Sequence, residues 1–251
     1  MNTPRFHCPL PIHTGDNVNL PAGAARHVQV LRKQPGDSLI LFSGSAQGGE
    51  FEATIEHMGR NDVRVVIGAH NTIEREPVNQ VHLAIGVPAN DRMDWLVEKA
   101  TELGVNSIQA LMTERSVLRL SGERAEKKRI HWQAIAIAAC EQCGRNQIPT
   151  IHPVMSLQNW LSDFPNSADD SMPISNKLLL SLQPESIPIK SQRHTEKSAQ
   201  QFIFLSGPEG GFSLSEESAA LNKGFTPISL GNRVLRAETA ALVAMAALTI
   251  E

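Results

Sequence analysis

The sequence predicts an α/β protein in which a small N-terminal domain of short strands precedes a larger domain built on a mostly parallel sheet. Two observations carry this prediction. Residues 1–74 contain short β-rich runs separated by glycine-containing turns, which is the pattern of a small β-barrel. Residues 75–251 alternate apolar runs of strand length with segments of helical periodicity, which is the pattern of a parallel sheet covered on both faces.

The N-terminal elements are recognised by alternation and by their turns. Partly alternating β-rich runs at 37–43, 49–56 and 62–68 predict three strands, and residues 24–32 predict a short helix. The polar segment 71–77 ends in proline, and the periodicity changes after it, so the domain boundary is expected there.

The C-terminal elements alternate in type along the chain. Asn90 or Asp91 is positioned to cap the first helix, and Gly104 follows it where a left-handed residue is favoured. The polar, proline-containing segment 183–200 is the part of the chain most prone to disorder. Predicted strands cover 81–87, 107–112, 148–152, 177–182, 201–206 and 226–230, and predicted helices cover 91–103, 123–141, 157–164, 213–222 and 236–248.

Composition narrows the class of protein. A chain of 251 residues with 41% hydrophobic residues can bury a large core without disulfides, so its 3 cysteines do not form a framework. No apolar run in the first thirty residues resembles a signal peptide, and none elsewhere is long enough to span a bilayer, which predicts a cytoplasmic protein. A net charge of −3 and the absence of tyrosine argue against a uniformly basic, base-stacking surface for nucleic acid.

The most informative segment is Gly-Pro-Glu-Gly-Gly at 207–211, between a predicted strand and a helix. Glycines allow a backbone to approach a ligand closely, and Ser213 with Glu216 forms a capping box for the helix. Neither a phosphate-cradling loop nor the dinucleotide fingerprint is present, and a glutamate suits a neutral or cationic ligand better than a phosphate. The simpler interpretation is a turn that only joins strand to helix.

A second loop, Gly-Asn-Arg-Val-Leu-Arg at 231–236, holds the same position after the next predicted strand. Ligands of open α/β sheets bind beyond the carboxyl ends of the strands, so the two loops are expected to wall one pocket. The alanine-rich helix that follows is either a buried core helix or a helix that also contacts a partner subunit.

Together, these two motifs resemble the paired C-terminal motifs of the ribosomal RNA small subunit methyltransferase E family of the SPOUT superfamily. Segments 4–6, 27–32, 90–105, 114–116 and 134–145 are also similar to that family, so the resemblance spans almost the whole chain. It implies a PUA-like RNA-binding barrel over 1–74 and, over 75–251, a methyltransferase domain with a deep trefoil knot. The cofactor site would lie within 178–251. The implied activity is methylation of uridine N3 in 16S rRNA of the small ribosomal subunit by a homodimer that uses S-adenosylmethionine.

The resemblance also implies site residues. Asn232 departs from the proline more usual in the second motif. Arg236 is expected to neutralise charge that develops on the uracil ring, and Glu238 to orient substrate or accept a proton; the alternatives are a solvent-facing arginine and an ordinary acid at a helix start. The cofactor residues would be Leu182, Leu205, Ser206, Gly207, Glu209, Gly210, Gly211, Leu230, Gly231, Val234 and Leu235. The RNA contacts would be Arg5, Arg32, Arg92, Lys99 and Arg145, with Arg26 as a further candidate and with His27 as either a contact or simply a helix residue.

No metal is expected, because the methyl group of S-adenosylmethionine is already activated. Cys140 and Cys143 have the spacing of half a zinc site or of a redox pair, but no second cysteine pair accompanies them. We therefore expect helix-packing thiols. Two other function classes remain open: a non-catalytic RNA-binding or ribosome-assembly protein on the same scaffold, and a different transferase or nucleotide-dependent oxidoreductase.

Overall fold

The computed structural model describes residues 3–46, 48–164, 176–192 and 200–250. The chain divides into two compact units. The first comprises Met1–Glu76 with Ile137–Ile148, and the second comprises Pro77–Ala136 with Pro149–Glu251. The predicted boundary after residue 74 leaves out Ile137–Ile148, which groups with the N-terminal strands.

The first unit is built on a five-stranded sheet. Its elements are β1 (Arg5–His7), β2 (Asn17–Asn19), α1 (Ala22–Val30), β3 (Ser38–Phe42), β4 (Glu50–Met58) and β5 (Val63–Asn71). The strand order is β1-β3-β4-β5-β2, with β1 parallel to β3 and the other pairs antiparallel. Val63, Val65 and Ile67 are buried on one face of β5 while Arg64 and Val66 are exposed, so the alternation in the sequence marks the side that faces the core.

The second unit is built on a seven-stranded sheet, and all of its described strand pairs are parallel, as predicted. The strand order is β10-β12-β9-β11-β6-β7-β8. Its elements are β6 (Gln80–Gly86), α2 (Asn90–Glu102), β7 (Ser107–Met112), α3 (Gly122–Cys143), β8 (Thr150–Ser156), α4 (Leu157–Ser162), β9 (Asn176–Leu180), β10 (Ile187–Pro188), β11 (Gln201–Ser206), α5 (Leu214–Asn222), β12 (Thr226–Ser229) and α6 (Ala237–Thr249), of which the end of α3 belongs to the first unit.

Both faces of this sheet are covered, which explains the continuous apolar runs of its strands. On β11, Phe202 and Phe204 pack into the cluster that contains Met93 of α2 and Met245 of α6. Leu205 points to the other face and joins the residues contributed by α4 and α5. The helices therefore lie in two layers on either side of the strands.

Two local predictions are confirmed, the prediction for the N-cap of α2 is wrong, and residues 187–192 of the segment 183–200 form secondary structure. Gly104 has a φ of +90°, and Ser213 and Glu216 form the predicted capping box of α5. Ala89, rather than Asn90 or Asp91, occupies the N-cap of α2 and makes no side-chain cap bond. The segment 183–200 is not a plain loop, since it contains β10 and a 3₁₀ helix at Ile189–Gln192; residues 193–199 lie outside the described residues.

The trefoil knot stays a prediction.

Among the described residues, no helix combines the length and apolar character needed to cross a membrane.

Candidate active site

Three loops meet at one edge of the seven-stranded sheet. Strands β12, β9 and β11 are neighbours and run in the same direction, so the segments that follow Ser229, Leu180 and Ser206 emerge side by side. This edge carries the carboxyl ends of the strands, where open α/β sheets bind ligands.

The loop after β11 is shaped by glycine and by close backbone packing. A Cβ on Gly207 would lie 3.1 Å from the Gly211 backbone, and Gly211 itself has a φ of +66°. The Gly211 N–H donates to the Pro208 carbonyl at 2.8 Å, which closes the turn. Beneath it, a Cβ on Gly86 would lie 2.5 Å from Pro208 Cδ, so β6 supports the loop without space between them.

The loop after β12 forms the opposite wall. Gly231 turns the chain with a φ of +103°, and its N–H donates to Ser229 Oγ at 3.2 Å. Val234 is 79% exposed, and Leu182, after β9, is 76% exposed.

The three loops enclose a cleft of about 550 Å³, within the range of roughly 300–1,000 Å³ typical of small-molecule sites. It is lined by most of the residues expected to bind the cofactor, namely Leu182, Ser206, Gly207, Glu209, Gly210, Gly211, Leu230, Gly231, Val234 and Leu235. Arg236 also lines it. The Leu205 side chain is fully buried in the core and does not reach the cleft.

Glu238 lies behind the cleft rather than in its wall. Its side chain is 8% exposed, and its Oε1 is 3.9 Å from Arg92 Nε. Its Oε2 is buried and has no hydrogen-bond partner among the described residues. Arg92 NH1 also contacts Glu209 Oε1 at 3.2 Å, and the same oxygen accepts a hydrogen bond from the Ala89 N–H at 2.9 Å. Arg92 therefore links a carboxylate of the first loop to one at the start of α6.

Residues that sequence reasoning missed complete the cleft. Arg115 lines it and donates to the Gly210 carbonyl at 2.9 Å, while Phe212, Glu217 and Arg233 add further walls. A signal for Arg115 existed, because it follows the buried strand β7 at the same edge of the sheet.

In the first unit, two expected RNA contacts are engaged in buried ion pairs. Arg145 has a side-chain exposure of 4%, and its guanidinium contacts Glu76 through NH2 at 2.5 Å and Nε at 3.0 Å. Arg5, with an exposure of 12%, pairs with Glu50 and donates to Asn146 Oδ1 at 2.7 Å. These contacts hold Ile137–Ile148 to the N-terminal strands, which is a structural role.

The other expected RNA contacts differ in whether their side chains are paired with carboxylates. Lys99 lies between Glu102 and Glu98, whose hydrogen bonds raise the pKa of Lys99 further above its usual range. His27 Nδ1 is 3.5 Å from Glu141 Oε2. Arg32 is exposed, has a φ of +55°, and makes no ion pair with the described residues.

The cysteines are buried or half-buried. Burial raises the pKa of the Cys140 thiol to about 12, and its Sγ donates to the Gln147 carbonyl at 3.5 Å. Cys140 is therefore protonated at neutral pH and packs inside the first unit.

Comparison with known proteins gives consistent results. A family model for RNA methyltransferase domains matches residues 74–249, and a model for RNA methyltransferase PUA domains matches residues 20–68. Ribosomal RNA small subunit methyltransferase E of Bacillus subtilis is 29% identical over 89% of this chain and 86% of its own length. Its counterpart in Synechocystis is 30% identical over 91% of this chain and 71% of its own length.

Solved structures are also similar to this chain. The crystal structure of a ribosomal RNA small subunit methyltransferase E from Neisseria gonorrhoeae bound to S-adenosylmethionine is 36% identical, with a TM-score of 0.87 over 98% of this chain and 96% of that one. A putative methyltransferase from Legionella pneumophila, also in complex with S-adenosylmethionine, is 36% identical with a TM-score of 0.87 over 99% and 97%.

Proposed function

Since this chain belongs to the RNA methyltransferase family that includes ribosomal RNA small subunit methyltransferase E, and is thus an S-adenosylmethionine-dependent rRNA methyltransferase, we propose that it methylates N3 of a specific uridine in 16S rRNA. The observation that supports this most strongly is the cleft between the two glycine loops. The two motifs that resemble this family in the sequence lie on its opposite walls.

The cleft residues fit S-adenosylmethionine. Leu180, Leu230 and Leu235 offer apolar surface for the adenosine, and the close-packed backbone at 207–211 brings peptide groups to the ligand. The carboxylates of Glu209 and Glu217 suit a sulfonium cation better than they would a phosphate. When bound there, S-adenosylmethionine supplies an electrophilic methyl group.

The reaction makes specific demands on the protein. Uridine N3 carries a weakly acidic proton between two carbonyl groups, so N3 becomes nucleophilic as that proton leaves and negative charge spreads to O2 and O4. Holding the two reactants in line contributes several kcal/mol, up to roughly 7–11 in favourable cases. A positioned proton acceptor adds about 10²–10⁴-fold.

Arg236 and Glu238 are assigned different tasks. Arg236 is exposed on the cleft wall, and its guanidinium neutralises the charge that develops on the uracil oxygens. Glu238 is buried behind the wall, so its task is to orient Arg92 rather than to touch the substrate. Glu238 is thus a positioning residue.

RNA is held through exposed cations of the PUA-like unit. Arg32 is the leading contact because its charge is exposed and makes no ion pair with the described residues, and Arg26 and His27 lie on α1, which ends at Val30 just before it. Phosphate contacts of this kind make affinity fall with rising salt concentration.

The enzyme acts as a homodimer in the cytoplasm, where ribosomal subunits are assembled. Support for the dimer comes from Leu182 and Val234, which are exposed at the cleft rim and whose apolar surface a partner subunit would bury. Light scattering coupled to size exclusion tests it, and a monomer at micromolar concentration would contradict it.

The test of the activity is methyl transfer to 30S subunits followed by mass spectrometry of the digested rRNA. 3-Methyluridine at a single site is expected, and methylation at carbon 5 or at a ribose would refute the N3 assignment. Arg236→Ala should reduce kcat by about 10²-fold or more, whereas Glu238→Gln should reduce it less. Near wild-type rates in both variants would contradict the assigned roles.

A further inference from the structure

A second cleft opens at the same edge of the seven-stranded sheet. Its volume is about 870 Å³, and it lies beyond β7 and β8, between α4 and α5. None of the residues assigned above to cofactor or catalysis lines it. Its size and its place at the carboxyl ends of parallel strands are those of a ligand site.

The two clefts share their dividing wall. The segment after β7 contributes Arg115 to the first cleft and Arg119 to the second. Helix α5 likewise contributes Glu217 to the first and Glu216 to the second. A polymer whose reacting nucleotide enters the first cleft therefore has the second within reach of a neighbouring nucleotide.

The floor of the second cleft is apolar and its rim is polar. The buried Leu157 and Leu161 form part of the floor, the exposed Ala219 lines the cleft beside them, and this apolar surface suits the face of a nucleobase. The amide of Gln158 at the rim is exposed and makes no hydrogen bond with the described residues, so it is free to pair with a base edge. Sequence-specific RNA recognition uses such contacts to bases that are splayed out of single-stranded segments.

The cleft is lined by two cations, Arg119 and Lys223, and by two carboxylates, Glu114 and Glu216. Lys223 Nζ donates to the Phe164 carbonyl at 2.7 Å, and Glu114 Oε1 accepts from Ser215 Oγ at 3.2 Å. Arg119 donates to the Thr113 carbonyl at 2.9 Å and to the Glu114 carbonyl at 2.8 Å, which fixes its guanidinium, yet it has no carboxylate partner among the described residues. The Glu216 carboxylate is already engaged, because it accepts from the N–H groups of Ser213 and Glu114 at 2.9 and 2.8 Å. The fixed guanidinium therefore keeps its attraction for an anion.

We propose that this second cleft holds a nucleotide that flanks the target uridine, with its base on the apolar floor and its phosphate on Arg119. The inference rests on the proposed function, since it takes RNA to be the substrate. The cleft then contributes to the choice of the methylated site.

Two variants test the assignment. Ala219→Leu narrows the cleft without changing charge, and Ser218→Leu, an exposed position on the same helix outside the cleft, is its matched control. Arg119→Gln removes the fixed cation, and Arg124→Gln, exposed and outside the cleft, controls for net charge. Binding of a fluorescein-labelled single-stranded 16S rRNA fragment that contains the target is followed by anisotropy, and binding of S-adenosylmethionine by calorimetry.

Both cleft variants should raise the Kd for RNA about tenfold and leave the Kd for S-adenosylmethionine unchanged, while both controls bind RNA like the wild type. Arg119→Gln should also reduce the slope of log K against log salt by about 0.7. If both cleft variants bind RNA with wild-type affinity, the assignment is overturned. Binding is measured separately from methyl transfer. A wild-type protein that binds RNA but methylates nothing would therefore refute the proposed function, while the comparison of RNA affinities between the cleft variants and their controls would still test the second cleft.

Discussion

Gly86 offers the sharpest test of how the cofactor cleft is supported. It is the last residue of β6, and it lies under the loop that carries Glu209. In Gly86→Ala, the new Cβ would lie 2.5 Å from Pro208 Cδ, 2.7 Å from Pro208 N and 3.2 Å from Thr113 Cγ2. Ordinary contacts between carbon atoms are about 3.5–4.0 Å, so Pro208 must move by about 1 Å.

The displacement has two measurable effects. Overpacking of this kind costs about 1–3 kcal/mol, which urea unfolding should report as a loss of that size. Moving the loop also misplaces Glu209 and the backbone at 207–211, so the Kd for S-adenosylmethionine measured by calorimetry should rise at least about tenfold. Since a shift of 1 Å in a positioning group costs up to about 10²-fold in rate, kcat should fall as well.

Gly68→Ala is the matched control for this substitution. Gly68 is also a strand glycine, but its added Cβ would meet Glu52 O at 3.4 Å, an ordinary contact. This variant should bind the cofactor like the wild type. Wild-type affinity and stability in Gly86→Ala would refute the reasoning, because they would show that the loop does not depend on the space above β6.

Three further predictions concern ion pairs. Arg145→Ala should lower the free energy of unfolding by about 3–5 kcal/mol, because it removes a buried guanidinium and leaves the half-buried Glu76 without this partner; Arg64→Ala, at an exposed pair, should leave it unchanged in the same urea titration. Burial raises the pKa of Glu50, but hydrogen bonds from two arginines outweigh burial and hold that pKa below its usual 4.5. The resulting stability is therefore present above pH 4.5 and is lost as pH falls through the lowered pKa, and Glu50→Gln should abolish that acid-dependent loss in thermal melts. Arg92→Ala should weaken S-adenosylmethionine binding by freeing Glu209, with RNA affinity unchanged in anisotropy titrations; a loss of RNA affinity alone would instead identify Arg92 as an RNA contact.

How well each feature could be predicted depends on how local its cause is. Strands such as β7 and β11 were delimited correctly because their apolar runs and flanking turns lie within a few residues. Strands β1, β2 and β10 have two or three residues each, too few to show a period. The two glycine loops could be located in the sequence because residue types other than glycine rarely adopt a positive φ such as the +103° of Gly231.

The environment of individual arginines was not predictable in the same way. Arg5 meets Asn146 across 141 positions of sequence, and Arg145 meets Glu76 across 69, so their burial follows from the fold and not from any nearby pattern. Arg115 could be placed in the sequence directly after β7, but its contact with the Gly210 carbonyl spans 95 positions of sequence and depends on the fold. The sequence shows which side chains are charged, but it does not show which opposite charges they pair with in the fold.

The grouping of Ile137–Ile148 with Met1–Glu76 also bears on the order of events during protein synthesis. N-terminal domains generally fold first as the chain is made, at roughly 5–20 residues per second. Here, the strands up to Asn71 leave the ribosome several seconds before Arg145 and Asn146 are synthesised. Until then, Arg5 lacks its hydrogen bond to Asn146, and Glu76 lacks its ion pair with Arg145. The first unit is therefore completed only after most of α3 has been translated, and a fragment that ends at residue 76 would lack the segment that holds its own acidic and basic side chains in place.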